Sequence, residues 1–265
     1  MVQHRNIRNL IIDMDGVLWH GDKPLPGLNV FFDTLRGKEI KFILATNNSS
    51  KTAEEYVSKL KTMGVIVYES EILTAAQATA DYLKQKNKSG KVFVIGEKGL
   101  RQALEKHGFI LSDLYETNVQ FVVCGMDRSI TWDKLATATL NIRAGASFIG
   151  TNPDPTFPIE KGIVHGNGAI LAAIEVATGI APLIIGKPEP YMYLQALSCL
   201  GNDVNSTVAL GDRLDTDILG AVNAGIRSIL VLTGISKQDH LSTVGYKPTW
   251  IMKDLPEISD FIRNM

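Results

Sequence analysis

Cysteine is scarce in this chain: Cys124 and Cys199 are the only two among 265 residues, both in apolar stretches, with no CxxC and no neighbouring ligand cluster. That argues against a disulfide framework and predicts two buried thiols in a reducing compartment. Charge of one sign is equally lacking. With 27 Lys and Arg against 28 Asp and Glu, the formal net charge is −1, which leaves no basic face for nucleic acid or an anionic membrane. Long apolar runs are missing too, since none approaches the roughly 18 residues of a membrane span. What remains is an ordinary globular mixture, 45% hydrophobic and 21% charged, able to build one large domain or two moderate ones. The expectation is a soluble, cytoplasmic protein whose partner is a small molecule, and a homo-oligomer is compatible with it.

The informative residues stand at the ends of short apolar runs. Leu10–Ile12 stops at Asp13-Met14-Asp15-Gly16, Phe42–Ala45 at Thr46-Asn47, Leu183–Ile185 at Gly186-Lys187-Pro188, and Val208–Leu210 at Gly211-Asp212, running on to Asp217. Each run reads as a buried parallel strand, and open α/β sheets bind ligands beyond the C-terminal ends of such strands. Between the runs, Leu28, Phe31, Phe32 and Leu35 keep helical spacing before Gly37, as do Ala53, Tyr56, Val57, Leu60 and Met63 before Gly64, so both helices are expected to cap on glycine. Tyr193, Leu197 and Leu200 before Gly201, and Ile218, Ala221 and Val222 before Gly225, repeat the pattern, with strands expected over 229–232 and 249–252. The fold class is therefore α/β, a doubly wound parallel sheet.

The interval from Thr46 to Lys187 far exceeds the roughly 30 residues of one βαβ unit. It holds strand candidates at 91–96, 120–125 and 147–151 and helix candidates at 99–107, 132–143 and 168–178. We expect a smaller α/β domain over residues 80–181, inserted as a lid into a discontinuous core of 1–79 and 182–265.

The chemistry of the four strand ends is complementary. Attack on phosphorus by a carboxylate divides a very slow hydrolysis into two easier steps, and Asp13 is the candidate nucleophile. Asp15, past the strand end beside the permissive Gly16, can protonate the leaving oxygen and later deprotonate water, a role that calls for surroundings favouring its acid form. A carboxylate meets a phosphate dianion only with a hard cation between them; Mg2+ held by Asp13, Asp212 and a backbone carbonyl at Asp15 would serve. Asp217 is expected to hold Lys187 or metal-bound water, and Asp215 to cap the next helix. Thr46 and Asn47 offer a hydroxyl, an amide and N–H groups ahead of a helix expected near Ser50, and Lys187 offers a positive charge to the phosphoryl oxygens. Trp19 and His20 are candidates to line the entry.

As an ordered set these motifs resemble those of the haloacid dehalogenase superfamily. Asp13 and Asp15 match its nucleophile and acid/base pair, Thr46 its phosphate-binding hydroxyl, Lys187 its lysine, and Asp212 with Asp217 its acidic metal motif. Thr46-Asn47-Asn48-Ser49, the large insertion, Gly150-Thr151-Asn152-Pro153-Asp154 and Gly166-Asn167-Gly168-Ala169-Ile170 are similar to the NagD-like, para-nitrophenyl-phosphatase branch. The resemblance implies an Mg2+-dependent phosphatase acting through a phosphoaspartate on nucleotides, sugar phosphates, phosphoglycolate or para-nitrophenyl phosphate, with a cap domain. Loops similar to Asn152–Thr156 contact the leaving group in that family, which makes Asn152 and Asp154 candidate substrate contacts. Two other readings use related chemistry: a phosphoaccepting receiver module, and a metal-independent dehalogenase of the same superfamily. The leaving-group acid Asp15, the insertion and the Asp15/Asp212 pair argue against both.

Overall fold

The strand Asn9–Ile12, buried at every position, pairs in parallel with Lys41–Thr46 on one side and Thr207–Gly211 on the other. In this computed structural model, which describes residues 6–86, 89–116, 118–159 and 161–265, those three strands are the middle of a six-stranded sheet. Its order is Trp250–Met252, Arg227–Val231, Thr207–Gly211, Asn9–Ile12, Lys41–Thr46, Ile72–Thr74, with parallel pairing from the first strand through the fifth. The chain winds outward from Asn9–Ile12 in one direction, then restarts beside it at Thr207–Gly211 and winds outward in the other. The gap between these two strands is thus the topological switch point, where neighbouring crossovers part and a ligand can enter.

The flanking helices follow the apolar spacing. Leu28–Gly37 buries Leu28, Phe31, Phe32 and Leu35, and Phe32 meets Phe42 of the neighbouring strand edge-on, with ring centroids 5.3 Å apart. Its end differs from the expectation. Gly64, with φ +82°, does close the helix Ala53–Thr62, but at the end of the first helix the left-handed residue is Glu39, φ +54°, because Ile40 N–H reaches back to the Leu35 carbonyl and carries the turn past Gly37. The second helix starts at Ala53 rather than near Ser50, whose N–H and hydroxyl both go to the Asn48 side chain in a local turn.

The chain divides into two compact units, one of Met1–Thr46, Glu54–Leu73 and Lys187–Met265, the other of Asn47–Ala53 and Thr74–Gly186. The second unit has its own parallel sheet, ordered Leu183–Ile184, Ser147–Gly150, Val119–Cys124, Lys91–Ile95, Ile110–Ser112. Phe93, Val122, Cys124 and Phe148 of that sheet pack with Ile170, Leu171 and Ile174 of the helix Asn167–Thr178.

Two further expectations differ from the structure. Leu183–Ile184 is not a buried strand of the first sheet but a two-residue edge strand of the second, and its burial is only partial. The apolar run was too short to say which sheet it joins; Ile185 and Gly186 N–H continue along Gly150 and Thr151 of the same neighbour. Cys124 is buried, as expected, but Cys199 is exposed, and the two are not joined in a disulfide. The helix Pro190–Cys199 buries Met192, Tyr193, Ala196 and Leu197, and Cys199, two positions past Leu197, turns to the outer face.

Candidate active site

Parallel pairing brings two of the predicted acids side by side. Ile12 is level with Leu210, Asp13 N–H donates to the Leu210 carbonyl at 2.8 Å, and Asp212 follows one residue past the end of its strand. Carboxylate oxygens of Asp13, Asp212 and Asp217 lie within 4.8 Å of one another, an arrangement able to hold a cation. Lys187 enters the same cluster although its segment left the sheet: its Nζ donates to Asp13 at 2.5 Å, to Asp217 at 2.7 Å and to the Ala45 carbonyl at 3.0 Å.

Asp217 reaches this position by a local irregularity. Residues Leu214–Ile218 form a π-helical turn in which Asp217 and Ile218 N–H both point to the Arg213 carbonyl, and the second Asp217 oxygen accepts the Arg213 N–H at 3.1 Å. Its own carbonyl accepts the buried Tyr193 hydroxyl at 2.9 Å. The wide turn also shifts the helical register, so that Ile218 and Ala221 are buried as expected while Val222 is exposed. Asp215, expected as a helix cap, lies outward in a two-point ion pair with Arg213, while Asp217 serves the Arg213 N–H.

Asp13, Lys187 and Asp212 are shifted by burial and by the charges gathered around them. Burial pushes the Asp13 carboxyl up and Lys187 pulls it back down, but Asp217 and Asp212 add to the rise, leaving it well above the usual range. Burial pushes Lys187 down, but Asp13 and Asp217 outweigh that and hold it as ammonium. Asp212 is pushed up to about 7, by burial first and Asp217 second. One ammonium does not satisfy three carboxylates.

The residues present fit a divalent metal. Asp212 Oδ2 accepts the Ile235 N–H at 2.7 Å, while its Oδ1 is buried with no hydrogen-bond partner among the described residues, which is costly for a carboxylate unless a cation meets it. The backbone leaves room for this carboxylate alone: a Cβ at Gly16, φ +85°, would come within 2.6 Å of Asp212 Oδ2, and one at Gly234 within 1.8 Å.

The other predicted residues divide into three groups. Thr46 ends its strand buried, next to the Ala45 carbonyl that binds Lys187. The Asp15 carboxylate is exposed and outside the three-carboxylate cluster, accepting the Trp19 indole N–H at 2.8 Å. Trp19 is fully buried and so does not line an entry; exposed His20 bonds through Nε2 with the Thr233 carbonyl at 2.9 Å. Asn47, Asn152 and Asp154 meet within the second unit, where Asn47 Nδ2 donates to Asp154 at 3.2 Å and Asn152 Nδ2 to the Asn47 carbonyl at 2.8 Å. Asn167, buried beneath them, donates to the Asn152 carbonyl at 2.7 Å. Sequence spacing could not have found the Trp19 contact, since a tryptophan four residues after an aspartate marks nothing until the turn is known.

A doubly wound α/β sheet whose switch point carries a lysine and three converging carboxylates defines a site at which a cation and an anion could meet. Residues 10–110 match the haloacid dehalogenase-like hydrolases, and residues 184–258 a second HAD-hydrolase-like family. The acid sugar phosphatase of Staphylococcus aureus strain USA300 is 40% identical over 247 residues, 93% of this chain and 95% of its own. Among solved structures, a 4-nitrophenylphosphatase from Thermotoga maritima superposes with a TM-score of 0.91 at 36% identity, covering 96% of this chain and 97% of its own. NagD from E. coli K-12 gives 0.89 at 37% identity, covering 95% and 98%. The chain belongs to the haloacid dehalogenase-like hydrolases, as a NagD-like phosphatase. Among the described residues no helix is long and apolar enough to cross a membrane.

Proposed function

We propose that the protein is an Mg2+-dependent phosphatase that hydrolyses small phosphate monoesters through an aspartyl-phosphate on Asp13. The observation that carries this reading is the convergence of Asp13, Asp212 and Asp217 on one point, with Lys187 bonded to two of them. Asp13, Asp212 and the Asp15 carbonyl would hold the ion, which when bound offsets the repulsion between phosphate and carboxylates.

The remaining work belongs to side chains. Lys187 binds a phosphoryl oxygen while keeping Asp13 in its attacking rotamer, and Asp217 keeps Lys187 charged and in place. The Thr46 hydroxyl donates to a second phosphoryl oxygen, with N–H groups of the following turn beside it. An Asp13 oxygen then forms a bond to phosphorus as the ester P–O bond breaks, and Asp15, in its acid form, gives its proton to the departing oxygen. In the second step the same carboxylate takes a proton from water as that water displaces Asp13. The names of the relatives favour phosphorylated sugars and 4-nitrophenyl phosphate as first substrates to try.

A phosphate-release screen over sugar phosphates, nucleotides, phosphoglycolate and 4-nitrophenyl phosphate, with Mg2+ and with EDTA, tests the proposal. Turnover in Mg2+ only, lost in Asp13→Asn, is expected. Phosphate release that persists in EDTA would overturn the Mg2+ dependence, no release from any ester together with EDTA-resistant halide release from a haloacid would point to the dehalogenase, and a stable phosphoprotein without turnover to a receiver.

A further inference from the structure

The geometry points to Trp19 as a positioning residue that fixes the Asp15 carboxyl and decides which of its oxygens carries the transferred proton, an inference that rests on the acid/base role proposed for Asp15. An exposed aspartate on a turn is ordinarily free to change rotamer. Asp15 is restrained twice over. Its Oδ1 accepts the indole N–H at 2.8 Å, and the backbone repeats the link, with a bridge between Asp15 and Trp19 and the Gly16 N–H donating to the Trp19 carbonyl at 2.9 Å.

The indole itself cannot move. Trp19 is 0% exposed and stacks on Tyr56, with centroids 6.4 Å apart and planes at 17°. Lys59, from the next turn of the same helix, sets its ammonium 4.5 Å from the Trp19 ring centroid and donates to the Gly21 carbonyl at 2.6 Å. A cation at the ring face polarises the indole and strengthens its N–H as a donor.

The chemical consequence follows from the donor. Indole N–H can only donate, so Oδ1 must act as the acceptor, and the proton of the acid form is confined to Oδ2. When the P–O ester bond breaks, its electron pair goes to the leaving oxygen, which takes the proton from Oδ2; the Asp15 carboxylate left behind is stabilised at Oδ1 by the same N–H. A free carboxyl would reach that arrangement in only a fraction of encounters. General-acid help is worth about 10²–10⁴-fold when well aligned, and misalignment forfeits part of it.

The test uses monoesters graded by leaving group: 4-nitrophenyl, phenyl and benzyl phosphate. A 4-nitrophenolate departs without a proton, whereas an alkoxide does not. Trp19→Phe is expected to lower kcat/KM for benzyl phosphate by about tenfold or more while leaving 4-nitrophenyl phosphate within about threefold, steepening the dependence on leaving-group pKa. Because Phe leaves a buried gap, the same series is run with β-(3-benzothienyl)alanine at position 19, which keeps the bicyclic shape and replaces N–H by sulfur. Equal losses across the series, or none, in this isostere would overturn the inference. Asp15→Asn is the control: if it leaves the leaving-group dependence unchanged, the acid role itself fails; if it steepens the dependence and the isostere does not, only the role of Trp19 fails.

Discussion

Replacing Asp212 by Asn should stabilise the metal-free protein, although it removes a proposed metal ligand. The fold raises this carboxyl from 3.8 to about 7, through burial first and Asp217 second. At about 1.36 kcal/mol per unit, keeping Asp212 ionised costs the metal-free fold up to about 4 kcal/mol above pH 7. That is an upper bound, because the buried Asp13 carboxyl beside it is raised as well. The direction follows from linkage: the folded value lies above the unfolded one, so stability is full below pH 4 and falls as pH rises toward 7, then levels off. Asn cannot ionise, and its carbonyl can still accept the Ile235 N–H. Thermal melts in EDTA should therefore coincide near pH 4 and separate by pH 8, with the variant higher by several degrees, since about 1 kcal/mol is worth roughly 2–4 °C at this chain size. Added Mg2+ should raise the wild type at pH 8 and leave the variant nearly unchanged. A variant that melts at or below the wild type at pH 8 in EDTA, or that gains as much from Mg2+, would refute the reasoning.

Asp13→Asn should fold normally and show no turnover; rapid acid quench of the wild type should trap phosphate on protein that the variant lacks. Lys187→Met leaves Asp13 and Asp217 buried without their ammonium, and should cost about 3–5 kcal/mol in chemical or thermal unfolding as well as activity. An equally stable variant would contradict the cluster's electrostatics. Gly16→Ala drives a methyl to within 2.6 Å of Asp212 Oδ2 from a backbone at φ +85°, and calorimetric titration should show Mg2+ affinity reduced by about tenfold or more.

The candidate site of this protein could be picked out along the chain because its residue types stand at strand ends. Leu10–Asp13 and Val208–Asp212 announce buried parallel strands ending in acids, and the apolar spacing of Leu28–Leu35 and Tyr193–Leu197 marks helices whose buried faces the fold confirms. Period and burial are local properties, so a local pattern encodes them. Three outcomes required the whole chain. The run Leu183–Ile185 joins the second sheet, because strand pairing is chosen by which edge is free and not by the apolar run itself. Asp217, four residues from Arg213, turns inward to Lys187 only because a π-helical turn intervenes, while Asp215 turns out. Trp19 meets Asp15 only because a helix more than thirty residues later supplies Tyr56 and Lys59 to hold its ring. Residue identity set what chemistry was available; long-range packing alone decided which atoms face one another.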